Sequence, residues 1–292
     1  MIPPKFEYFA PTTVHEALTL LRQYGSEAKF LSGGQSLIPL MKLRLATPAY
    51  LIDINRIPGL DQLQESNGFL SIGALTREAD LEQSALVRAN YPIVCDTARV
   101  IGDPLVRNLA TIGGNLAHAD PANDHPATML ALQAEIVATG LDGARTIPAT
   151  EFFTDFFTTA LRPDEMLTAI RIPTPPASSG GTYVKLERKV GDFAVVGVAA
   201  QVSIDAAGIC TRAGLGLTNV APTPLKVHAA EAFLQGKRLD QVSIRQAAQL
   251  AAEAARPEAD LRGSSAYKRD MVRVLTTRAL TRALERASGQ RT

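Results

Sequence analysis

Apolar positions recur at helical spacing soon after the N-terminus, where Val14, Ala17, Leu18 and Leu21 share one face. Ahead of them, Thr13-Val14-His15-Glu16 has the form of a capping box, with the Thr hydroxyl on the Glu16 amide and the Glu16 carboxylate reaching back. Gly25 can end this helix in a left-handed turn. A short run over 29–31 follows, the chain breaks into a glycine loop over 32–36, and 49–54 reads as a buried strand, which together with the helix resembles a small parallel α/β unit of about 55 residues. The pattern then changes. A strand is expected over 69–72, helices over 76–89 and 91–100, a long loop over 101–124, and a helix from Asp124-His125-Pro126 to 134. Strands over 135–139 and 166–172 surround a segment rich in phenylalanine (Phe152, Phe153, Phe156, Phe157). Residues 173–181, dense in Pro, Ser and Gly, form the strongest linker signal. Three strand-like runs follow, 182–189, 194–204 and 209–218, spaced as an antiparallel meander, and the rest is helical over 226–235, 242–255 and 264–287.

The 292 residues are about twice the usual single-domain length, so two or three packed units are expected. A hydrophobic share of 46% with 20% charged residues fits a folded globular protein and excludes a disordered or collagenous one. The 30 basic and 29 acidic side chains leave +1, which carries no nucleic-acid footprint. Residues 226–292 hold 13 basic and 7 acidic groups, a local excess that suits either an acidic partner or a solvated helix surface. The two cysteines, Cys95 and Cys210, fall short of the four thiolates an iron–sulfur cluster needs and of the closely spaced pairs of a zinc site. They read as buried small hydrophobes in a reducing compartment. No basic-then-apolar leader opens the chain, and no apolar run approaches the ~20 residues of a bilayer span. A cytoplasmic location is therefore expected, with contact to the inner membrane face only through a larger complex.

Two segments carry the chemical signal: Ser32-Gly33-Gly34-Gln35-Ser36 and, about 80 residues later, Thr111-Ile112-Gly113-Gly114-Asn115. Each sets two glycines among hydroxyl and amide side chains. Glycine admits positive φ and removes the Cβ, so consecutive N–H groups can converge on an anion. Neither pentapeptide holds Lys or Arg, so a phosphate there would be held mainly by oriented dipoles. Two such loops can grip one diphosphate from opposite sides, although a single Gly-Gly turn is usually only a turn. Neither is a Walker loop or a Rossmann fingerprint, and Gly214-Leu215-Gly216 lacks the third glycine. A second constellation, His118, Asp120, Asp124 and His125, holds borderline zinc or iron ligands but keeps them in one loop rather than on converging elements. No GxSxG elbow is present.

The stretch Ile101-Gly102-Asp103, continuing through Arg107-Asn108-Leu109-Ala110-Thr111-Ile112-Gly113-Gly114-Asn115-Leu116-Ala117 and Asp120-Pro121-Ala122-Asn123-Asp124, resembles the FAD-binding (medium) subunits of the molybdenum hydroxylases. The same holds for 185–194, Lys185-Leu186-Glu187-Arg188-Lys189-Val190-Gly191-Asp192-Phe193-Ala194, and the resemblance runs from Phe6 to about Arg286. That family includes the medium subunit of carbon monoxide dehydrogenase and the flavin domain of xanthine dehydrogenase. The resemblance implies an α+β chain with a PCMH-type flavin fold: an N-terminal subdomain over 1–55, a second subdomain with a mixed sheet over 56–176, and a C-terminal domain over 177–292 with a three-stranded antiparallel sheet and a helical bundle. It implies that 32–36 and 111–115, with Ala110 beside the second, enclose the FAD diphosphate, flanked by Phe30, Leu31 and Leu37. Ile101 and Gly102 would line the flavin cleft, Asp124 would bind a polar group of the cofactor, Leu161 would meet the adenine side and Lys185 would approach the dinucleotide. Phe193 would lie near the isoalloxazine, where relatives often have Tyr, and Gln35 stands where they often have His. Alternative readings are an N-cap for Asp124, a cross-strand pair for Lys185 and plain core for Phe193.

By the same resemblance the molybdopterin cofactor and two [2Fe–2S] clusters lie on partner chains, a large molybdenum subunit and a small iron–sulfur subunit, commonly as a dimer of heterotrimers. A flavin accepts electrons singly and releases them as a pair, so it links one-electron clusters to a two-electron acceptor. No side chain of this chain is expected to act as acid or base. The competing functions are a stand-alone flavin oxidase or dehydrogenase of the same fold and a flavin-free assembly module. The substrate and the final acceptor are not legible in this chain.

Overall fold

The computed structural model describes residues 2–290. The chain opens with β1 (Glu7–Phe9), α1 (Val14–Tyr24), β2 (Ala28–Leu31), α2 (Leu37–Lys42) and β3 (Tyr50–Asp53). The three strands are parallel in the order β1-β3-β2. Ala17, Leu18 and Leu21 of α1 pack on Ala28, Ile52 and Ile54. The Thr13 hydroxyl accepts from the Glu16 amide at 3.1 Å, but the Glu16 carboxylate takes the amide of Thr12 at 2.9 Å rather than that of Thr13, so the box is displaced by one residue. Gly25 does adopt positive φ, at 54°.

The second unit comprises β4 (Leu63–Ser66), β5 (Phe69–Gly73), α3 (Glu78–Gln83), α4 (Ala85–Asn90), α5 (Pro92–Arg99), α6 (Pro104–Arg107), α7 (Ile112–His118), α8 (His125–Leu132), β6 (Glu135–Gly140), β7 (Gly143–Pro148), α9 (Ala149–Phe152), β8 (Phe153–Asp155), β9 (Thr158–Thr159) and β10 (Met166–Pro173). Five of its seven strands form one sheet in the order β4-β5-β10-β6-β7. The sheet expected to be mixed is antiparallel at every pairing, because tight turns join β4 to β5 and β6 to β7 and no helix carries the chain over to a parallel neighbour. The long loop expected over 101–124 contains two short helices, α6 and α7. The phenylalanine-rich segment forms the small β8–β9 hairpin.

Only residues 174–178 remain as connection to the last unit, since Gly180 and Gly181 belong to β11 (Ser179–Leu186). A Cβ on Gly180 would collide with the backbone of Ala283 and Ala287, so the glycine lets the C-terminal helix lie directly on the strand. The chain continues through β12 (Val196–Ile204), β13 (Cys210–Thr218), β14 (Leu225–Lys226), α10 (His228–Leu234), α11 (Gln241–Ala254) and α12 (Ser265–Ala287). The sheet has four strands in meander order rather than three, the fourth being the two-residue β14 on the edge. One face is covered by α11 and α12, through Val198, Ala200, Val202, Leu275, Ala279 and Ala283. The other face turns to the second unit, whose core takes in Tyr183 and Ala199. Gly214 and Gly216 are packing glycines: a Cβ on either would strike the Ala131 or Ala127 carbonyl of α8. Among the described residues no helix is long and apolar enough to cross a membrane. Cys95 and Cys210 are both buried free thiols.

Candidate cofactor site

The two glycine segments meet. Loop 32–36 runs from the end of β2 to the start of α2, and the Ser32 Oγ lies 2.7 Å from the Thr111 Oγ1 at the start of α7. Gly33 makes this approach possible, since a Cβ there would strike the Leu109 carbonyl and stand 2.8 Å from the Ala110 Cα. Gly34 adopts φ +71°, a conformation L side chains rarely take. Gln35 folds its amide back on the Gly33 carbonyl at 3.3 Å. The amides of Gly33, Gly34, Gln35 and Ser36 have no hydrogen-bond partner among the described residues. Such a run of free N–H groups is a nest for an anion.

The second segment is built differently from the loop expected. Thr111 is the N-cap of α7, accepting from the Gly114 amide at 3.2 Å. The Ile112 amide donates to the Thr76 carbonyl at 3.1 Å, that of Gly113 to Ala74 at 3.0 Å, and that of Asn115 to Thr111 at 2.9 Å. The expectation of two amide cradles is therefore corrected to one, because the first turn of α7 consumes its own donors. Ile112 is fully buried in the second core, and Gly113 presses on Ala74. Gly114 alone of the pair faces the first loop, with a built Cβ 3.8 Å from the Ser32 Oγ. The side-chain oxygen of Asn115 is buried without a partner.

Behind the cradle stand residues that the sequence motifs do not mark. Asn55 donates to the Ser32 carbonyl at 2.9 Å and accepts from Arg77 at 2.6 Å, while Arg77 also holds the Leu109 carbonyl. The one available signal was an Asx pattern, Asp53-x-Asn55, closing β3 beside a glycine loop.

At the start of α8 three consecutive side chains fasten three different elements. Asn123 donates to the Asn115 carbonyl of α7 at 2.8 Å. The Asp124 carboxylate accepts from the Lys185 Nζ at 2.9 Å and from the Tyr183 hydroxyl at 2.6 Å, both on β11. His125 meets the Glu78 carboxylate of α3 at 2.7 Å, with both side chains fully buried. Asp124 makes no N-cap bond. Burial holds its carboxyl above the usual range, with the Lys185 charge and the Tyr183 and Lys185 hydrogen bonds pulling the other way. Burial and the Asp124 charge push the Tyr183 hydroxyl well above its usual value, so it is a neutral donor. Lys185 also donates to the Val100 carbonyl at 3.0 Å, which brings Ile101 and Gly102 beside this cluster.

The remaining expected residues divide. Gly191, in the loop that carries Phe193, sits with a built Cβ 3.0 Å from the Gly102 carbonyl, so this loop borders the Ile101–Gly102 turn. Phe193 is 48% exposed rather than core, with the Arg262 guanidinium 5.6 Å from its ring centre. Leu31 and Leu37 bracket the first loop, and the Phe30 side chain is partly buried against the N-terminal core. Leu161 lies past the β8–β9 hairpin, half-buried against the second core. The candidate metal ligands are engaged apart: Asp124 with Lys185, His125 with Glu78, and His118 against Phe157 at 5.1 Å.

Residues 4–175 match the family described as the FAD binding domain in molybdopterin dehydrogenase, and residues 181–283 match the CO dehydrogenase flavoprotein C-terminal domain. The chain is 44% identical over 288 residues to the carbon monoxide dehydrogenase medium chain of Hydrogenophaga pseudoflava, covering 99% of this chain and 100% of that one. It is 38% identical over 287 residues to the 6-hydroxypseudooxynicotine dehydrogenase complex subunit alpha of Paenarthrobacter nicotinovorans, covering 98% and 97%. Among solved structures, carbon monoxide dehydrogenase from Hydrogenophaga pseudoflava lacking the Mo-pyranopterin moiety superposes with a TM-score of 0.95 at 46% identity, over 98% of this chain and 99% of that one. Quinoline 2-oxidoreductase from Pseudomonas putida 86 gives 0.91 at 31% identity over 99% of both chains. Family matches over both halves and relatives aligned from end to end place this chain among the FAD-binding medium subunits of the molybdenum hydroxylases, as a subunit of an oxidoreductase.

Proposed function

We propose that this chain holds FAD across residues 32–36 and 111–115 and relays electrons from iron–sulfur clusters on partner chains to an external acceptor. The observation that carries the reading is the run of four free amides at 33–36, in the loop whose Ser32 hydroxyl meets Thr111 and lies across from Gly114. The residues fit a dinucleotide diphosphate: free backbone donors line one side, and a Cβ at Gly114 would fill the gap. In this arrangement the first loop donates to the diphosphate, while Thr111 and Asn115 supply side-chain groups and Ala110 and Gly113 set the backbone path. Leu31 and Leu37 exclude water from its flanks, with Phe30 supporting the strand beneath. Leu161 borders the adenine end. Ile101, Gly102 and Phe193 would border the ring, and Asp124 and Lys185 would support that turn through the Val100 carbonyl. FAD bound there supplies the exchange between one-electron and two-electron transfer.

Relatives named for carbon monoxide, 6-hydroxypseudooxynicotine and quinoline share this architecture over nearly their whole length. This supports a role common to all of them, with substrate selection on a large molybdenum-bearing partner and the clusters on a small partner, in a dimer of heterotrimers. The test is release of FAD from the purified complex on denaturation, close to one per copy of this chain, and its loss in Gly114→Val with the partners' clusters retained. A complex with full turnover that releases no FAD on denaturation would overturn the reading.

A further inference from the structure

The Tyr183 hydroxyl reaches Asp124 by an unusual route. It crosses the neighbouring strand β12 through the space left by Gly197, where any Cβ would collide with it. There it stands 2.6 Å from the Asp124 Oδ1 and 3.3 Å from the Thr218 Oγ1. It has one proton to give, and the shorter contact to a charged acceptor takes it; the Thr218 hydroxyl donates instead to the Asn123 carbonyl at 3.2 Å. The groups facing Asp124 are Tyr183 and Lys185 of β11, Glu187 just past its end, Thr218 of β13, and His125 of α8, itself held by Glu78 of α3. Lys185 is contested: Asp124 lies 2.9 Å from its Nζ and the Glu187 carboxylate 3.6 Å, and the nearer oxygen of Glu187 is buried without a hydrogen bond. A carboxylate anchored on its far oxygen by a hydroxyl keeps the lysine, and a lysine kept there also holds the Val100 carbonyl at the base of the Ile101–Gly102 turn.

We propose that Tyr183 is a positioning residue: its hydroxyl keeps Asp124 ionised and turned to Lys185, and through Lys185 it fixes the Ile101–Gly102 turn beside the flavin. This rests on the FAD reading for what the turn borders, while the Tyr183–Asp124–Lys185 coupling stands on the chain alone. Removing the hydroxyl takes away a hydrogen bond to a charged group, which shifts the Asp124 ionisation by roughly tenfold or more, about one pH unit, towards the protonated form.

Two measurements on the full-length chain, purified as it assembles in the cell, decide the matter. In urea titrations without added FAD, the stability deficit of Tyr183→Phe should grow from acid to neutral pH, because only the ionised carboxylate loses the stronger bond. A deficit of equal size at every pH is what a purely structural hydroxyl gives, and it overturns the proposal. In FAD titrations by flavin fluorescence, the acid limb of affinity should move up by about one pH unit in Tyr183→Phe and vanish in Asp124→Asn. Should Tyr183→Phe fail to fold, Glu187→Gln serves in its place: it deletes the competitor for Lys185 and should move the acid limb down, and an unmoved limb refutes the coupling. A wild-type chain that binds no FAD at any pH defeats the functional reading, while the urea series still decides the part played by Tyr183.

Discussion

The two glycines at the start of α7 have opposite surroundings, and their alanine variants should separate folding from cofactor binding. At Gly113 a built Cβ stands 2.5 Å from the Ala74 carbonyl oxygen, 2.6 Å from its Cβ and 2.7 Å from its Cα. The Gly113 amide bonds that same carbonyl, so the backbones have little room to part. Overpacking of this kind costs about 1–3 kcal/mol, and rigid neighbours favour the upper end. At Gly114 the Cβ meets only the Thr111 Oγ1 at 2.8 Å and the Ser32 Oγ and Cβ at 3.8 and 3.9 Å. Turning the Thr111 hydroxyl away loses a cap worth about 1 kcal/mol, and alanine in place of glycine in a helix returns a similar amount. Gly114→Ala should thus be within about 1 kcal/mol of wild type, while its methyl occupies the gap between the two segments. Urea unfolding paired with FAD titration is the assay. Gly113→Ala should lose stability, and Gly114→Ala should lose tenfold or more in FAD affinity, roughly 1.4 kcal/mol, with stability kept. A stable Gly113→Ala, or a Gly114→Ala that binds FAD as tightly as wild type, would refute the assignment of inward and cradle faces.

Lys185→Met strands Asp124 as a buried charge without its cation and should cost about 3–5 kcal/mol in urea unfolding at neutral pH; the added change Asp124→Asn should recover part of that loss. Asp192, bonded by Arg262 at 2.9 Å and by Arg188 at 3.1 Å, has its carboxyl lowered to about 2, chiefly by the Arg262 hydrogen bond. Its contribution to stability is therefore complete above the ordinary value of 3.8 and is lost as pH falls through about 2. Acid-unfolding curves of Arg262→Leu should lack that last increment, and an unchanged curve would show that the pair does not stabilise the fold. Burial pushes the Cys210 thiol up to about 11, so a maleimide should leave Cys210 unmodified in the native chain at neutral pH and label it only after denaturation, as peptide mass mapping will report.

The parts of the fold with strong periodicity were legible. The helix after Thr13, the last three helices and the strands over 135–139 and 166–172 appear where the pattern puts them, within a few residues. The failures have physical causes. β1 is three residues long and β4 is a mostly exposed edge strand, so neither shows a buried alternation. Gly113-Gly114 has the sequence of a turn, yet it opens α7, held by the Thr111 cap and by Ala74, distant in sequence, pressed against Gly113. In the site, glycine and hydroxyl chemistry singled out 32–36 and 111–115, and the two segments do meet. The division of labour between them was hidden, since whether an amide is free depends on what lies across from it. Tyr183 and Glu78 carry no motif, Asn123 and His125 lie in motifs that do not name their partners, and their roles arise from residues 59, 8 and 47 positions apart meeting in space.

Asn123, Asp124 and His125 tie α7, β11 and α3 together at one point, and this bears on when the site comes into being during synthesis. The free amides come from the first unit, the capped helix from the second, and the lysine that holds Asp124 and the Val100 carbonyl from the third, which leaves the ribosome last. A nascent chain halted before β11 would own both halves of the grip yet lack the lysine that holds Asp124 and the Val100 carbonyl. Yellow colour in this protein should thus mark a finished polypeptide, and a truncated product should stay pale even when its first two sheets have formed.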